Sequence, residues 1–152
     1  MNQAINGVAE SVNYDALGRV TLVTNVLGSF TNVYVRATGM IATNFYPNGQ
    51  KTVFSYYGTN NDERLQQIQN LTPGGQNLSA FTYAYNAEGE ITNWTEQADN
   101  NTPTVQVEEY DPVNQLLSST FIIKGSVPSF GTIYLSLGLA RAFALIWWTA
   151  LG

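Results

Sequence analysis

The sequence contains no cysteine and no histidine. Zinc sites of the usual kind, thiol nucleophiles and histidine acid–base chemistry need those side chains, so all three are excluded. Charge is scarce too: 11% of residues are Asp, Glu, Lys or Arg, against about 25% in an ordinary globular protein. A net charge of −5 and a pI near 4.4 offer nothing to a phosphate backbone or an anionic bilayer. Nucleic acid is not expected as a partner, and no cofactor or metal is expected. Met1 to Glu10 lacks the basic start and apolar run of a signal peptide, so export would use an upstream signal or another route.

What the chain does have is turn formers beside strand formers. Thirteen Gly and five Pro stand with nine Tyr and seven Phe, a mixture that suits many short strands joined by polar turns. Its 152 residues fit one domain or a piece of a larger one.

The organising stretch is Asn13-Tyr14-Asp15-Ala16-Leu17-Gly18-Arg19-Val20. It reads as a strand ending, a tight turn and a strand beginning. Asp15 can accept hydrogen bonds from the backbone N–H groups that follow it, and Gly18 can take a positive φ without a Cβ clash. A type I turn closed by a left-handed glycine is a common hairpin loop. Degenerate copies follow. Tyr46-Pro47-Asn48-Gly49 reads as a second anchor, one residue tighter. Tyr57 to Asn61 reads as a distorted third, with Asn60 or Asn61 in the left-handed slot. Phe81, Tyr83 and Tyr85 alternate into Asn86-Ala87-Glu88-Gly89, and Val105 to Tyr110 leads into Asp111-Pro112-Val113-Asn114. Four or five such hairpins form an internal repeat, and short repeats must stack to bury a shared core.

Between the anchors, Met1 to Ser11 reads as a loop or weak edge strand. Gly28 and Asn32 bracket a turn, and Val33 to Ala37 alternates like a strand. Leu65 to Leu71 fits either a helical turn or a strand, and its strand neighbours favour the latter.

From Thr120 onward the only charges are Lys124 and Arg141. Residues 1–119 are therefore read as the hairpin region and 120–152 as an apolar tail. Leu139 to Leu151 suits a helix. The apolar run from Phe130 to Leu151 is near the roughly 20 residues of a membrane span, but Arg141 at its middle costs about 2.5–3.5 kcal/mol on insertion scales. A docked element or the stump of a further domain ranks ahead of a span.

The chemistry-bearing residues have structural explanations. Tyr14, Tyr46, Tyr85 and Tyr110 could stack on sugar rings, yet cross-strand aromatics also hold hairpins together. Asp15 and Asp111 fill one turn slot that Asn86 fills equally well, so turn capping accounts for both without a catalytic pair. Glu108, Glu109 and Asp111 lack the spacing of a calcium loop. The Asn-x-Ser/Thr matches at Asn70, Asn77, Asn93 and Asn100 would matter only in a eukaryotic secretory host.

At Tyr14-Asp15-Ala16-Leu17-Gly18-Arg19-Val20 the chain resembles a YD repeat of the RHS family. The weaker copies at Tyr46–Gly49, Tyr85–Ile91 and Tyr110–Leu116 extend the likeness over about residues 10 to 119. The family includes bacterial polymorphic toxins, insecticidal toxin-complex components and teneurins. Resemblance implies an all-β fold: consecutive antiparallel hairpins in a curved, twisted sheet that forms part of a shell. It implies a non-catalytic, secreted or cell-surface segment, with Tyr14, Asp15, Gly18, Arg19, Tyr46, Gly49, Tyr85, Gly89, Tyr110 and Asp111 as turn residues. The implied partners are flanking YD repeats or an encapsulated toxin domain. Adhesion or glycan binding through exposed tyrosines is the alternative. Toxin members carry a DPxG-type motif with paired aspartates; here Asp111-Pro112 is followed by Val113-Asn114, so no protease residues are carried over.

An open sheet has unpaired edges. The isolated chain is expected to self-associate, and a stable dilute monomer in sedimentation would count against this.

Overall fold

The computed structural model describes residues 2–5, 8–123 and 133–138. They form twelve strands and one 3-10 turn, with no α-helix among the described residues. The fold is all-β, as the turn and strand formers predict. By its contacts the chain divides into two units, Met1–Leu78 and Ser79–Gly152.

The first unit contains β1 (Asn2–Ile5), β2 (Val8–Tyr14), β3 (Val20–Asn25), β4 (Gly28–Tyr34), β5 (Ile41–Phe45), β6 (Lys51–Tyr56) and β7 (Leu65–Leu71). Each strand pairs antiparallel with the one before it. The second unit is entered through β8 (Asn77–Tyr85) and continues with β9 (Ile91–Ala98), β10 (Thr104–Tyr110), β11 (Leu116–Ile123) and β12 (Ile133–Gly138). It follows the same meander.

Such a sheet normally buries a face against a second layer. Here the side chains are covered chiefly by their lateral neighbours: among the described residues only Ala80 and Thr52 are buried. Thr52 belongs to a polar row. Asn32, Asn44, Thr52 and Asn70 stand opposite one another across β4 to β7. Asn44 Nδ2 donates to Asn32 Oδ1 at 2.6 Å, and Thr52 Oγ1 donates to Asn70 Oδ1 at 2.7 Å. Cross-strand pairs of this kind hold register where a packed core would otherwise do so.

Five hairpins share a register shift at the last residue of the incoming strand: Tyr14, Tyr34, Tyr56, Tyr85 and Tyr110. A bulge at a fixed place sharpens the twist and re-aims the side chain beside it. At the other end of the first unit's strands, successive loops nest. A Cβ added to Gly28 would lie 2.6 Å from Pro47 Cβ, and one on Gly49 would lie 3.1 Å from Pro73 Cβ.

Several local expectations change. Of the two readings for Met1 to Ser11, loop or weak edge strand, the strand holds: residues 2–5 and 8–14 are paired, with β1 at the edge of the sheet. The turn expected between Gly28 and Asn32 lies earlier: Val26-Leu27 forms a two-residue loop and Gly28 opens β4. That strand ends at Tyr34, not Ala37. In the third anchor a 3-10 turn over Thr59–Asn61 shifts the left-handed positions to Asp62 and Glu63, with φ of 55° and 50°. Leu65–Leu71 is a strand, in register with the whole of β6. The division expected at 119/120 falls inside β11, and Ile133–Gly138 of the tail pairs with β11. The helix expected over 139–151 lies outside the described residues.

Candidate functional site

Five turns share one backbone frame. The first turn residue donates its N–H to the carbonyl four residues on, and its own carbonyl accepts from the residue three on. The first residues are Asp15, Tyr46, Thr72, Asn86 and Asp111, with all ten bonds between 2.9 and 3.2 Å. The left-handed position holds Gly18, Gly49, Gly75 and Gly89, and Asn114 in the last, at φ between 65° and 96°. Asparagine is the side chain that tolerates this region best after glycine.

The first residue also caps the turn with its side chain. Asp15 Oδ1 accepts from the N–H groups of Leu17 and Arg19 at 2.9 and 3.0 Å. Asp111 Oδ1 does the same for Val113 and Gln115. Asn86 Oδ1 and Thr72 Oγ1 each cap one N–H, of Glu90 and Gln76. Both aspartates therefore direct their carboxylates at their own turns.

This frame repositions Tyr46. It stands in the slot of Asp15, not that of Tyr14, and its turn is the same length as the first rather than one residue tighter. A tyrosine cannot cap, so Asn48 Oδ1 accepts from Gln50 N instead, at 3.1 Å. The tyrosines equivalent to Tyr14 in the first unit are Tyr34 and Tyr56, which the turn motif missed because their loops are longer. No local pattern marks them, and the shared register shift is what identifies them. The Thr72–Gln76 turn was also missed, since Thr replaces the usual Asp or Asn.

These tyrosines fasten one hairpin to the next. Tyr34 donates its phenol to the Val20 carbonyl at 2.8 Å, Tyr56 to Ile41 at 2.8 Å, and Tyr110 to Ile91 at 3.0 Å. Each acceptor opens the outgoing strand of the preceding hairpin at that end. Tyr14 is 53% exposed and Tyr46 37%, whereas Tyr34, Tyr56, Tyr85 and Tyr110 are half-buried. Burial raises the Tyr56 phenol above its ordinary value; burial, then Glu108 and Glu90, raise that of Tyr110. Tyr56→Phe keeps the ring and removes the bond, so it is expected to cost about 1 kcal/mol. Urea denaturation followed by circular dichroism measures it; an unchanged midpoint would show that the phenol bond adds nothing.

Arg19 makes a second connection. Its Nε donates to Asp15 Oδ2 at 2.6 Å, and its Nη1 donates to the carbonyls of Arg36 (2.9 Å) and Thr38 in the following loop. The guanidinium lies 4.4 Å over the ring of Tyr34. Further along, Arg36 reaches Glu63 at 3.3 Å. Asp15 is held below its ordinary 3.8 chiefly by the Arg19 backbone N–H; partial burial opposes this, and the guanidinium and Leu17 N–H add to it. A lowered folded value means that the carboxylate's contribution is present above 3.8 and lost as pH falls through the folded value. The unfolding midpoint should therefore drop more steeply below pH 3.8 than that of Asp15→Asn. Parallel curves would refute this.

Among the described residues no group of carboxylates is placed to hold a metal ion, and no helix is long and apolar enough to cross a membrane. What the site can do is mechanical: it joins hairpin to hairpin along one end of the strands.

No protein-family model and no curated protein matches the sequence. Solved structures do match. The chain is similar to the TcdB2-TccC3-Cdc42 structure at 16% identity and a TM-score of 0.53. It is similar to TcdB2-TccC3-TEV at 17% and 0.54, and to TcdB2-TccC3 without its hypervariable C-terminal region at 17% and 0.52. Each match covers 85% of this chain and 8% of the other, so the chain spans a small part of the length of those toxin-complex chains. At this identity the likeness is one of fold. The resemblance carried by Tyr14–Val20 thus extends to the fold.

Proposed function

We propose that the chain is a non-catalytic structural segment of a secreted RHS/YD-repeat protein, part of a shell wall of the kind that encloses a C-terminal toxin. The observation that carries this reading is the combination of little burial with regular hairpin-to-hairpin fastening. With only Ala80 and Thr52 buried among the described residues, those residues carry little of the packed burial that stabilises an independent domain. The Tyr34, Tyr56 and Tyr110 bonds and the Arg19 bridge are interactions that can be extended by adding hairpins. Partners would then be flanking repeats and an enclosed domain.

Half-burial and phenol engagement of the bulge tyrosines weigh against the alternative of a saccharide-stacking row, for which Tyr14 and Tyr46 remain the exposed candidates. Sequencing the DNA on both sides of the reading frame tests the proposal. In-frame copies of the Tyr-Asp turn are expected; unrelated genes on both sides would overturn it.

A further inference from the structure

Asn48 and Gly49 form the one Asn-Gly pair among the described residues, and both are exposed. Glycine has no Cβ to screen its own backbone nitrogen. An asparagine carboxamide followed by glycine is therefore open to attack by that nitrogen, a reaction that needs no enzyme.

The turn holds both reacting groups. The Gly49 N–H donates to the Tyr46 carbonyl at 2.9 Å. The Asn48 carboxamide is engaged at each end: Oδ1 accepts from Gln50 N at 3.1 Å, and Nδ2 donates to Gln50 Oε1 at 2.9 Å. Ring closure requires the nitrogen to give up its proton and the carboxamide carbon to turn onto it. The turn must open first. What keeps it closed comes from loops distant in sequence, because the Pro47 ring lies against Gly28 and the Pro73 ring against Gly49.

We propose that Asn48 is a site of spontaneous deamidation gated by these two loop contacts, and that its isoaspartyl product cannot re-form them. The inference rests on the turn and its neighbours and does not depend on the shell reading. The Gly49 nitrogen loses its proton to water and bonds to Asn48 Cγ. The Cγ–Nδ2 bond breaks, and Nδ2 takes a proton from solvent and leaves as ammonia. Water then opens the succinimide. Addition at Cγ yields an aspartate at position 48, and addition at the main-chain carbonyl yields an isoaspartate.

The two products act differently on the turn. Aspartate leaves the main chain as it was and keeps an oxygen to accept from Gln50 N. Isoaspartate runs the main chain through Cβ, which adds one carbon between residues 48 and 49. That carbon falls inside the ring closed by the Tyr46 N–H on the Gln50 carbonyl, and inside the one closed by the Gly49 N–H on the Tyr46 carbonyl. With the frame lengthened, Pro47 and Gly49 no longer meet Gly28 and Pro73.

The test incubates the chain in mildly alkaline buffer, with and without urea, and follows position 48 by peptide mapping. Conversion in the folded chain is expected, at least about tenfold slower than in urea. Pro73→Gly uncovers Gly49 and should speed the folded-chain reaction several-fold. Gly18→Ala strains a turn at the opposite end of the strands and should leave the rate unchanged. The isoaspartyl fraction, separated by chromatography, should melt below the unreacted chain, whereas Asn48→Asp should melt with it. This last comparison serves if Pro73→Gly does not fold. Equal rates with and without urea, or no conversion in the folded chain, would overturn the proposal. So would equal acceleration by Gly18→Ala and Pro73→Gly, which assigns the rate to global unfolding, or an isoaspartyl fraction that melts with the unreacted chain.

Discussion

Gly28→Ala is expected to destabilise the first unit by roughly 3 kcal/mol, the sum of backbone strain and overpacking. Gly28 has φ of 116°, where a side chain is strained whatever the surroundings. The added Cβ would also lie 2.6 Å from Pro47 Cβ and 3.0 Å from Pro47 Cγ. A proline ring cannot rotate aside, so the backbone of one loop must move. Gly18 separates the two contributions. Its φ is 76°, but nothing lies within 4 Å of the added Cβ, so Gly18→Ala should cost only about 1–2 kcal/mol. Adding Pro47→Gly to Gly28→Ala removes the clashing atoms and should show a favourable coupling of at least about 1 kcal/mol in a double-mutant cycle. Denaturation midpoints give all four corners. Equal losses for the two alanine variants, with no coupling, would mean that the loops do not nest as described.

The second large effect is expected at Arg19. Arg19→Ala should cost about 2 kcal/mol, through the charged hydrogen bonds to the Arg36 and Thr38 carbonyls and the stack on Tyr34. The ion pair with Asp15 is the smaller part, since pairs near solvent contribute little. Arg19→Lys keeps the charge without the planar fork and should recover less than half of the loss. Hydrogen exchange gives a local readout: faster exchange is expected at Val35, Thr38 and Met40, which belong to the loop that Arg19 bridges. If exchange rises only within residues 15–19, Arg19 is a local turn residue and does not fasten the loops. Arg19→Lys behaving as wild type would assign the effect to charge alone.

Both predictions concern contacts between turns distant in sequence, and this is where reading the chain and reading the structure part company. Asp15, Gly18, Asn86, Gly89, Asp111 and Asn114 were legible because a turn is local. The side chain that caps it and the residue that takes positive φ lie within four positions of each other. The alternation of Phe81, Tyr83 and Tyr85 is local in the same sense. Tyr34 and Tyr56 were not legible. Their loops lack the Asp-x-x-Gly pattern, and only the shared register shift shows them to be equivalents of Tyr14. Tyr46 misled for the converse reason: a tyrosine before Pro-Asn-Gly looks like an anchor, while the backbone bonds put it one slot later.

The sequence by itself determined that the fold is all-β, where the turns opened by Asp15, Asn86 and Asp111 fall, and that those side chains cap them. It also excluded thiol chemistry, imidazole chemistry and zinc sites of the usual kind, because composition and near-neighbour hydrogen bonding suffice for those conclusions. Tertiary structure alone decided that phenols reach across to the preceding hairpin, that Pro47 covers Gly28, and that Arg19 bridges to the Arg36 and Thr38 carbonyls. Those outcomes depend on strand register. Register fixes which residues far apart in the chain come to lie side by side, and no local pattern encodes it.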